Sequence, residues 1–513
     1  MAEAAPVGTG VLDGRRGTSA VAWSGFSVAG RQVFQLTFAV VLARLLGPDS
    51  FGVISMATIY VTAGALLLDQ GLSSALVQRP SLTRHLPGAT ATVNLLTGVL
   101  LALLTLVLAG PVAGFFSTPE LAGVLVLLGP TLLLKAAAIA PRAMLSRGLR
   151  MRPVGTADVL GAALGCAAGL VAAWQGAGVM SLVVQTVVVD AVVAVLLLAA
   201  ARGPVPNLHL RELVPSLRFS AQVFTTSGIA FLSRNLDNIL VGRFLGATPL
   251  AFYGMAYRVL VLPVQLVGQT VNRVMFPAVA RMAADPDQLR RTMLTATRLL
   301  SLAAVPPMAL AAVSAWQLVD VVLGPQWLPA APLIAVLALA GARETVLYPT
   351  PALVKGLGRG GLVLRLELLS TAVQVTGVVV GLGFGVLGVA VGYALAGVAL
   401  TPLMLAVQRS LAGVRVRDQL LAVTPAVHAS AWAAGAYLLV ALTPWSSVPT
   451  LLAGVPAFLT VLAVVLLTVH RRSTRQSIER FRAARSARPV APSSTLPDAS
   501  AAVATDAPTA ATP

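Results

Sequence analysis

The stretch Leu42-Ala43-Arg44-Leu45-Leu46-Gly47 (LARLLG, residues 42–47) returns 199 residues later as Val241-Gly242-Arg243-Phe244-Leu245-Gly246 (VGRFLG, residues 241–246). At the same offset Met56-Ala57 returns as Met255-Ala256. Each copy sits in the turn between the first two apolar blocks of a group of six. Six is even, so both groups enter a membrane from the same side. That predicts two parallel lobes related by an axis along the membrane normal.

Working outward, the whole chain has the character of these blocks. Of its 513 residues, 57% are hydrophobic and only 11% charged, with a mean hydropathy of +0.86. A soluble domain carries roughly a quarter of its residues as charges. The apolar residues fall in runs of about 20, the length of a bilayer-crossing helix. Inside lipid the backbone must satisfy its own hydrogen bonds, so such runs are helices. The alternation over about 10 residues that marks a membrane β-barrel is absent.

The expected fold is therefore an all-α membrane protein with about 14 transmembrane helices. They form two parallel-repeat six-helix lobes plus two peripheral C-terminal helices. The predicted blocks are 19–43, 50–77, 88–110, 120–141, 154–174 and 178–201, then 215–241, 248–280, 291–316, 330–354, 361–383 and 386–408, then 421–442 and 448–470. Residues 1–18 make an N-terminal tail, 19–201 the N-lobe, 202–214 a linker, 215–408 the C-lobe and 421–470 helices 13 and 14. Residues 471–513 make a tail, basic to 488 and then rich in Ala, Pro, Ser and Thr. That composition predicts disorder. The basic part is read either as a stop-transfer signal or as a segment resting on anionic lipid. Blocks 50–77 and 248–280 exceed one bilayer and should tilt or extend beyond it. The first block is too long for a signal-peptide core and contains Arg31, Gln32 and Gln35.

The formal net charge is +18, but the basic residues cluster between apolar blocks. Alternate loops carry Arg147 and Arg150, Arg202 and Arg211, Arg290 and Arg291, Lys355 and Arg359, and Arg415 and Arg417. The intervening loops are bare, with Arg44 and Arg243 as exceptions that the repeat makes equivalent. This alternation puts both termini and the basic loops in the cytoplasm. It excludes a nucleic-acid partner, since no basic patch is interleaved with aromatics.

Ionisable residues inside spans are costly and mark cavities or partners. Arg31, Arg234 and Arg258 stand on the first two helices of a lobe, which the repeat sets beside a central cleft. Guanidinium stays charged in a low dielectric and grips phosphate oxygens bidentately. A cleft so lined suits an anionic headgroup such as a pyrophosphate. The alternative for Arg234 is a local pair with Asp237, three residues on. Lys135 either faces the cavity or lies near a helix end. Asp69, Asp190 and Glu367 are read as caps or loop contacts near helix ends. Arg343 and Glu344 are adjacent and point to different faces, and Glu344 is a weak candidate for ion coupling. Pro263 and Pro277, Pro306 and Pro307, and Pro349 and Pro351 interrupt or kink their helices.

No enzymatic constellation appears, so no enzyme is expected. The histidines His85, His209, His428 and His470 are dispersed, and Cys166 is the only cysteine. There is no GxxxxGK[ST] loop to bind a nucleotide. No cofactor is expected; a coupling ion, Na+ or H+, is left open.

Several stretches carry a family resemblance. Residues 42–52 (LARLLGPDSFG) are followed by Asp69-Gln70-Gly71-Leu72. Further on come Asp237-Asn238, Tyr253, Ala256-Tyr257-Arg258, Phe276-Pro277 and Gly324-Pro325-Gln326-Trp327. Their order and spacing resemble Wzx-type polysaccharide flippases, the colanic-acid-exporter-like subgroup, of the multidrug/oligosaccharidyl-lipid/polysaccharide exporter superfamily. Ala251 departs from the Gly usual after the second LG turn. The resemblance implies twelve core helices in two lobes, a cationic cavity and a polyprenyl-linked oligosaccharide as substrate. It implies a cell-membrane protein of exopolysaccharide biosynthesis, working among membrane lipids and beside a polysaccharide polymerase or glycosyltransferases. The rival readings are a same-fold carrier of a peptidoglycan precursor or drug, and a membrane scaffold that binds lipid-linked glycan without moving it.

Overall fold

The computed structural model describes residues 14–69, 72–78, 83, 85–201, 204–265 and 269–471. Side chains are described from residue 38, except at 74–75, 78, 215–219 and 269–274. The expectations for residues 1–13 and for the tail beyond 471 lie outside the described residues. No strand occurs among the described residues.

The N-lobe contains α1 (Gly14–Asp69), α2 (Leu72–Gln78), α3 (Leu86–Phe115), α4 (Glu120–Arg147), α5 (Met151–Trp174) and α6 (Met180–Ala201). A single 3-10 turn, Leu210–Leu213, leads to the C-lobe. There α7 (Val214–Leu245), α8 (Ala247–Pro263), α9 (Gln269–Arg281), α10 (Pro286–Val313) and α11 (Ala315–Val322) precede a second 3-10 turn, Pro325–Ala330. Then come α12 (Ala331–Leu347), α13 (Pro349–Gly356), α14 (Gly360–Leu382) and α15 (Gly385–Ala412). The last two helices are α16 (Val416–Ala441) and α17 (Ser447–Thr468), which pack on each other and on α10.

Eleven stretches among the described residues are long and apolar enough to cross a membrane. Three of the fourteen expected spans fall outside that set. The first lies mostly before residue 38. The seventh, α7, carries Arg234, Asn235, Asp237 and Asn238 in one turn and lacks an apolar stretch of 18 residues. The eighth is described as two helices, α8 to Pro263 and α9 from Gln269; Pro263 removes one backbone bond, and residues 264–265 continue as a π turn. The expected tenth span is divided into α12 and α13 at Pro349, and the second falls on α1 and α2, with residues 70–71 between them outside the described residues. The bare loop expected around 316–329 instead holds α11 and a 3-10 turn.

Packing is that of a membrane protein. On α3 the side chains of Leu96, Leu100, Leu103 and Val107 form an exposed stripe, 57–72% accessible, while Gly98, Thr105 and Ala109 turn inward. Large apolar residues face lipid and small ones let backbones approach. On α5, Gly161, Gly165 and Gly169 lie against α6, each within 3.2 Å of an α6 carbonyl oxygen at the place a Cβ would occupy.

The repeat is visible in the backbone. Gly47 (φ 74°, ψ 173°) divides α1 into two helical arms, and Gly246 (φ 95°, ψ −172°) divides α7 from α8 in the same conformation. Both lie where L-residues are strained, which accounts for glycine in each copy. The two turns meet: Thr248 Oγ1 donates to Asp49 Oδ1, two residues at equivalent repeat positions, 199 apart. The Cβ of any larger residue at Gly52 would lie 2.0 Å from the Ala247 carbonyl oxygen. Its repeat equivalent is Ala251, so the departure from glycine there reflects an asymmetric contact at this junction.

The same end carries two reciprocal contacts. Arg44 Nε donates to the Val322 carbonyl at 2.8 Å, and its Nη2 to that of Val321. Gln326 Nε2 and Trp327 Nε1 reach back to the carbonyls of Arg44 and Ala43, each at 2.9 Å. Trp327 is fully buried, edge-on to Phe51 and Phe252. On the other lobe Arg243 Nη1 donates to Ser117 Oγ at 3.1 Å. Thus the two arginines that break the charge rule each reach across to the bare end of the other lobe, Arg44 to the end of α11 and Arg243 to the turn after α3. At the opposite end the linker is strapped to α3, with Asn207 Nδ2 donating to the His85 carbonyl and Thr92 Oγ1 to that of Asn207. The dispersed histidines are paired in space: His85 stacks on His209 at 4.2 Å, and His428 Nδ1 lies 3.2 Å from His470 Nε2.

Candidate functional site: a polar chamber between the lobes

Two connected cavities occupy the middle of the bundle. One, of about 700 Å³, lies between the lobes and is lined by both arms of α1 and by α4, α6, α7 and α8. The other, of about 760 Å³, runs into the C-lobe between α7, α8, α12, α14 and α15. Asn235, Asn238, Tyr257 and Arg258 line both.

Arg258 projects from α8 at this junction, and Arg234 from α7 lines the C-lobe arm. Both side chains are exposed to the chamber, although they sit on helices at the core of the bundle. Neither makes a hydrogen bond or ion pair to another described residue. A guanidinium held this deep in protein keeps its charge, and its five N–H donors are free for an anion.

The alternative local pair between Arg234 and Asp237 is not formed among the described residues. Asp237 turns into the C-lobe, 9% exposed. There it accepts hydrogen bonds from Tyr253 Oη at 2.8 Å and from the Asn238 amide at 2.8 Å. Glu344 likewise has no salt bridge among the described residues and accepts from Tyr393 Oη at 2.8 Å. A ladder of rings joins the two carboxyl groups: Tyr253 stacks on Tyr257 at 5.9 Å, and Tyr257 meets Tyr393 edge-on at 6.1 Å. Tyrosine hydroxyls, rather than arginines, hold both acids in place.

Lys135 lines the interlobe cavity, but its Nζ donates to Asp190 Oδ1 at 2.7 Å, with side-chain exposures of 31% and 12%. Asp190 is thus an ion-pair partner and not a helix cap. Asp69 does cap, accepting from the Ser73 amide and hydroxyl. Glu367 is no loop contact: it lines the C-lobe arm with Ser370, Thr371 and Gln374 of α14. Arg31 lies on the first arm of α1, and its side chain is outside the described residues. Arg343 and Glu344, expected on different faces, both line the C-lobe arm and each bonds to α15. Arg343 Nε donates to Thr401 Oγ1 at 2.9 Å.

The neutral polar lining was not anticipated. Gln185 and Thr186 on α6, Asn235 and Asn238 on α7, and Gln265 after α8 all face the chamber. Their signal was amides within apolar spans, which a search for charges alone passes over. Hydroxyls, amides and tyrosine rings can hydrogen-bond and stack on sugars, while the free guanidinium groups suit phosphate.

Two helical bundles around a polar chamber define the fold class, and solved structures share it. The fold matches a lipid II flippase in an inward closed conformation, with a TM-score of 0.68 and 11% identity, over 88% of this chain and 99% of that one. It also matches the inward-facing conformation of a multidrug resistance MATE family transporter of the MOP superfamily, with a TM-score of 0.57 and 17% identity, over 75% and 95% of the chains. Residues 41–332 match the family described as "Polysaccharide biosynthesis protein", and the chain belongs to that family.

Among relatives, the teichuronic acid biosynthesis protein TuaB of Bacillus subtilis (strain 168) is 28% identical over 301 residues, 58% of this chain. That match spans 62% of the relative, under two thirds of its length. The lipopolysaccharide biosynthesis protein WzxC of Escherichia coli (strain K12) is 24% identical over 75% of this chain and 79% of its own. The succinoglycan biosynthesis transport protein ExoT of Rhizobium meliloti (strain 1021) is 26% identical over 72% and 75%. The motifs that suggested a polysaccharide flippase therefore lie in a chain of the matching family.

Proposed function

We propose that this protein moves a polyprenyl-pyrophosphate-linked oligosaccharide from the cytoplasmic to the outer leaflet of a bacterial cytoplasmic membrane, for cell-surface polysaccharide synthesis. The observation that carries the proposal is the unpaired Arg258 at the junction of two polar cavities, with Arg234 beside it. The names of the relatives, which concern teichuronic acid, lipopolysaccharide and succinoglycan, support this class of cargo. Both termini and the basic loops lie in the cytoplasm on this reading.

The headgroup enters from the basic end while the lobes are clasped at the bare end. Arg258 and Arg234 neutralise the pyrophosphate, with Arg31 a further donor if its side chain faces the cleft. Amide and hydroxyl groups hold the sugars, and the apolar tail stays in lipid. Breaking the clasp and closing the basic end exposes the headgroup to the other side. An inside-negative potential favours outward passage of an anion by about 2.3 kcal/mol per charge per 100 mV. The protein acts without covalent chemistry on its cargo, and a polymerase or glycosyltransferases are its partners on either side of the step.

Arg258→Ala and Arg31→Ala, each purified and reconstituted in vesicles, are expected to abolish flipping of a polyprenyl-pyrophosphate glycan with membrane expression unchanged. Normal flipping in both would refute the assigned roles.

A further inference from the structure

The interlobe chamber continues along the N-lobe. Lys135 belongs both to its wall and to a crevice of about 460 Å³ that runs between the end of α1, α2 and α4. On α4 the crevice is lined by Lys135, Arg142 and Ser146, which share one helical face over about 16 Å. On α1 the chamber residues Ser55 and Thr58 lead into Ala65 and Asp69 of the crevice along the same stripe. The far end lies where α4 finishes at Arg147, whose Nη1 donates to the Leu76 carbonyl of α2 at 2.9 Å. Arg147 and Arg150 belong to one of the basic loops. A single track therefore leads from Arg258, through Lys135, to the basic end of the bundle.

The chemistry changes along this track. Arg258 carries a guanidinium with no acid paired to it among the described residues. In the crevice each cation brings its own acid from a neighbouring helix. Lys135 Nζ donates to Asp190 Oδ1 at 2.7 Å, and Arg142 donates to both oxygens of Asp158 at 2.7 and 3.2 Å. Asp69 adds a negative charge, so the crevice has no positive excess to attract a phosphate. It does keep hydrogen-bonding capacity. Lys135 spends one of three N–H donors on its acid, and Arg142 two of five. Ser73 Oγ donates to Asp69 at 2.8 Å and keeps its lone pairs, and the Ser146 hydroxyl has no partner among the described residues. The remaining wall is aliphatic, from Leu68, Val77 and Ile139. Donors and acceptors without net positive charge, beside an apolar wall, match a sugar ring, which has hydroxyls at its edge and C–H groups on its face.

We propose that the crevice binds an uncharged sugar, the outermost residue of the cargo glycan, while Arg258 and Arg234 hold the pyrophosphate. This rests on the reading of the chain as a carrier of lipid-linked glycans, and it names the part of the cargo that the N-lobe reads. A glycan joined to a phosphate at Arg258 crosses the chamber, passes Lys135 and ends between Arg142 and Ser146. Those two residues then determine specificity for the outer sugar, at the far end of the molecule from the lipid.

The test measures binding to the full-length protein in nanodiscs with three probes: the lipid-linked glycan extracted from membranes of the source organism, the same glycan trimmed of its outermost sugar by an exoglycosidase, and undecaprenyl pyrophosphate. The wild-type protein is expected to bind the whole glycan at least tenfold more tightly than the trimmed one. Ala65→Phe, which fills the crevice without touching a charge, should bring the whole glycan within twofold of the trimmed one and leave undecaprenyl pyrophosphate within twofold of wild type. Arg142→Gln alone strands Asp158, so it is combined with Asp158→Asn. That double variant should weaken the whole glycan at least fivefold and leave the trimmed glycan within twofold. Equal affinity of wild type for whole and trimmed glycan, or whole-glycan binding within twofold of wild type in Ala65→Phe, overturns the assignment. So does an equal loss of undecaprenyl pyrophosphate in Ala65→Phe, which would make the crevice a phosphate or lipid site. If Arg258→Gln abolishes binding of all three probes while the crevice results are negative, the carrier reading stands without it. If the wild-type protein binds none of the three, both fall.

Discussion

Arg258 and Lys135 are both cations on helices of apolar composition, and the structure separates them by their partners. Lys135 has Asp190; Arg258 has none among the described residues. Lys135→Ala leaves Asp190 uncompensated, and since the pair is partly exposed the expected loss is about 2 kcal/mol. Thermal melting of the purified protein should show Lys135→Ala destabilised and the double variant Lys135→Ala/Asp190→Ala largely recovered. If the double variant also flips cargo, Lys135 is structural; if it melts normally and does not flip, Lys135 contacts cargo. Arg258→Lys keeps the charge but loses the bidentate fork, and is expected to retain partial flipping where Arg258→Gln retains none. Arg258 and Arg234 stood out as candidates because an arginine in an apolar helix contrasts with its surroundings, and both line the chamber. Asp237 and Asp190 were misread because sequence spacing reports neighbours on one helix, while their true partners, Tyr253 and Lys135, come from other helices. The amides lining the chamber went unnoticed because a neutral polar residue in a span costs little and signals weakly.

At the scale of elements, the two glycine-headed turns hold the bare end closed. Gly47→Ala and Gly246→Ala force a positive-φ, extended-ψ conformation that is essentially glycine's alone, at about 1–3 kcal/mol each. Gly52→Val cannot be accommodated without moving the Ala247 backbone. The contact between Asp49 and Thr248 offers a sharper handle, since the native cysteine, Cys166, is buried. Asp49→Cys with Thr248→Cys is expected to form a disulfide that stops flipping and to regain it on reduction. Flipping at the wild-type rate with the disulfide complete would mean that this end does not open. The repeat that disclosed these turns was readable from six residues, because the backbone conformation they share demands glycine in both copies. The interruptions at Pro263 and Pro349 were readable for a similar local reason. The short α11 and its 3-10 turn were not, because an eight-residue amphipathic helix in a loop leaves too little periodicity to detect.

For the whole molecule, hydropathy and loop charge carried the architecture: two lobes, parallel repeats and two added helices. These are properties of long segments in a bilayer, where the backbone leaves few options. What the chain holds inside is a matter of which helix faces meet, and the chamber, its arms and the crevice along α4 emerged only with the packed structure. The account's central claim is that the chamber recognises a negatively charged linker joining lipid to sugar. The direct measurement compares two cargoes with the same glycan and the same polyprenyl tail in vesicles containing the purified protein, one joined through pyrophosphate and the other through a neutral ether. Headgroup exposure on the far leaflet is followed with time. The account expects the pyrophosphate cargo to cross in wild-type vesicles, to stop in Arg258→Gln vesicles, and the neutral cargo to remain where it was loaded. Equal crossing of both cargoes, or crossing unaffected by Arg258→Gln, would contradict it.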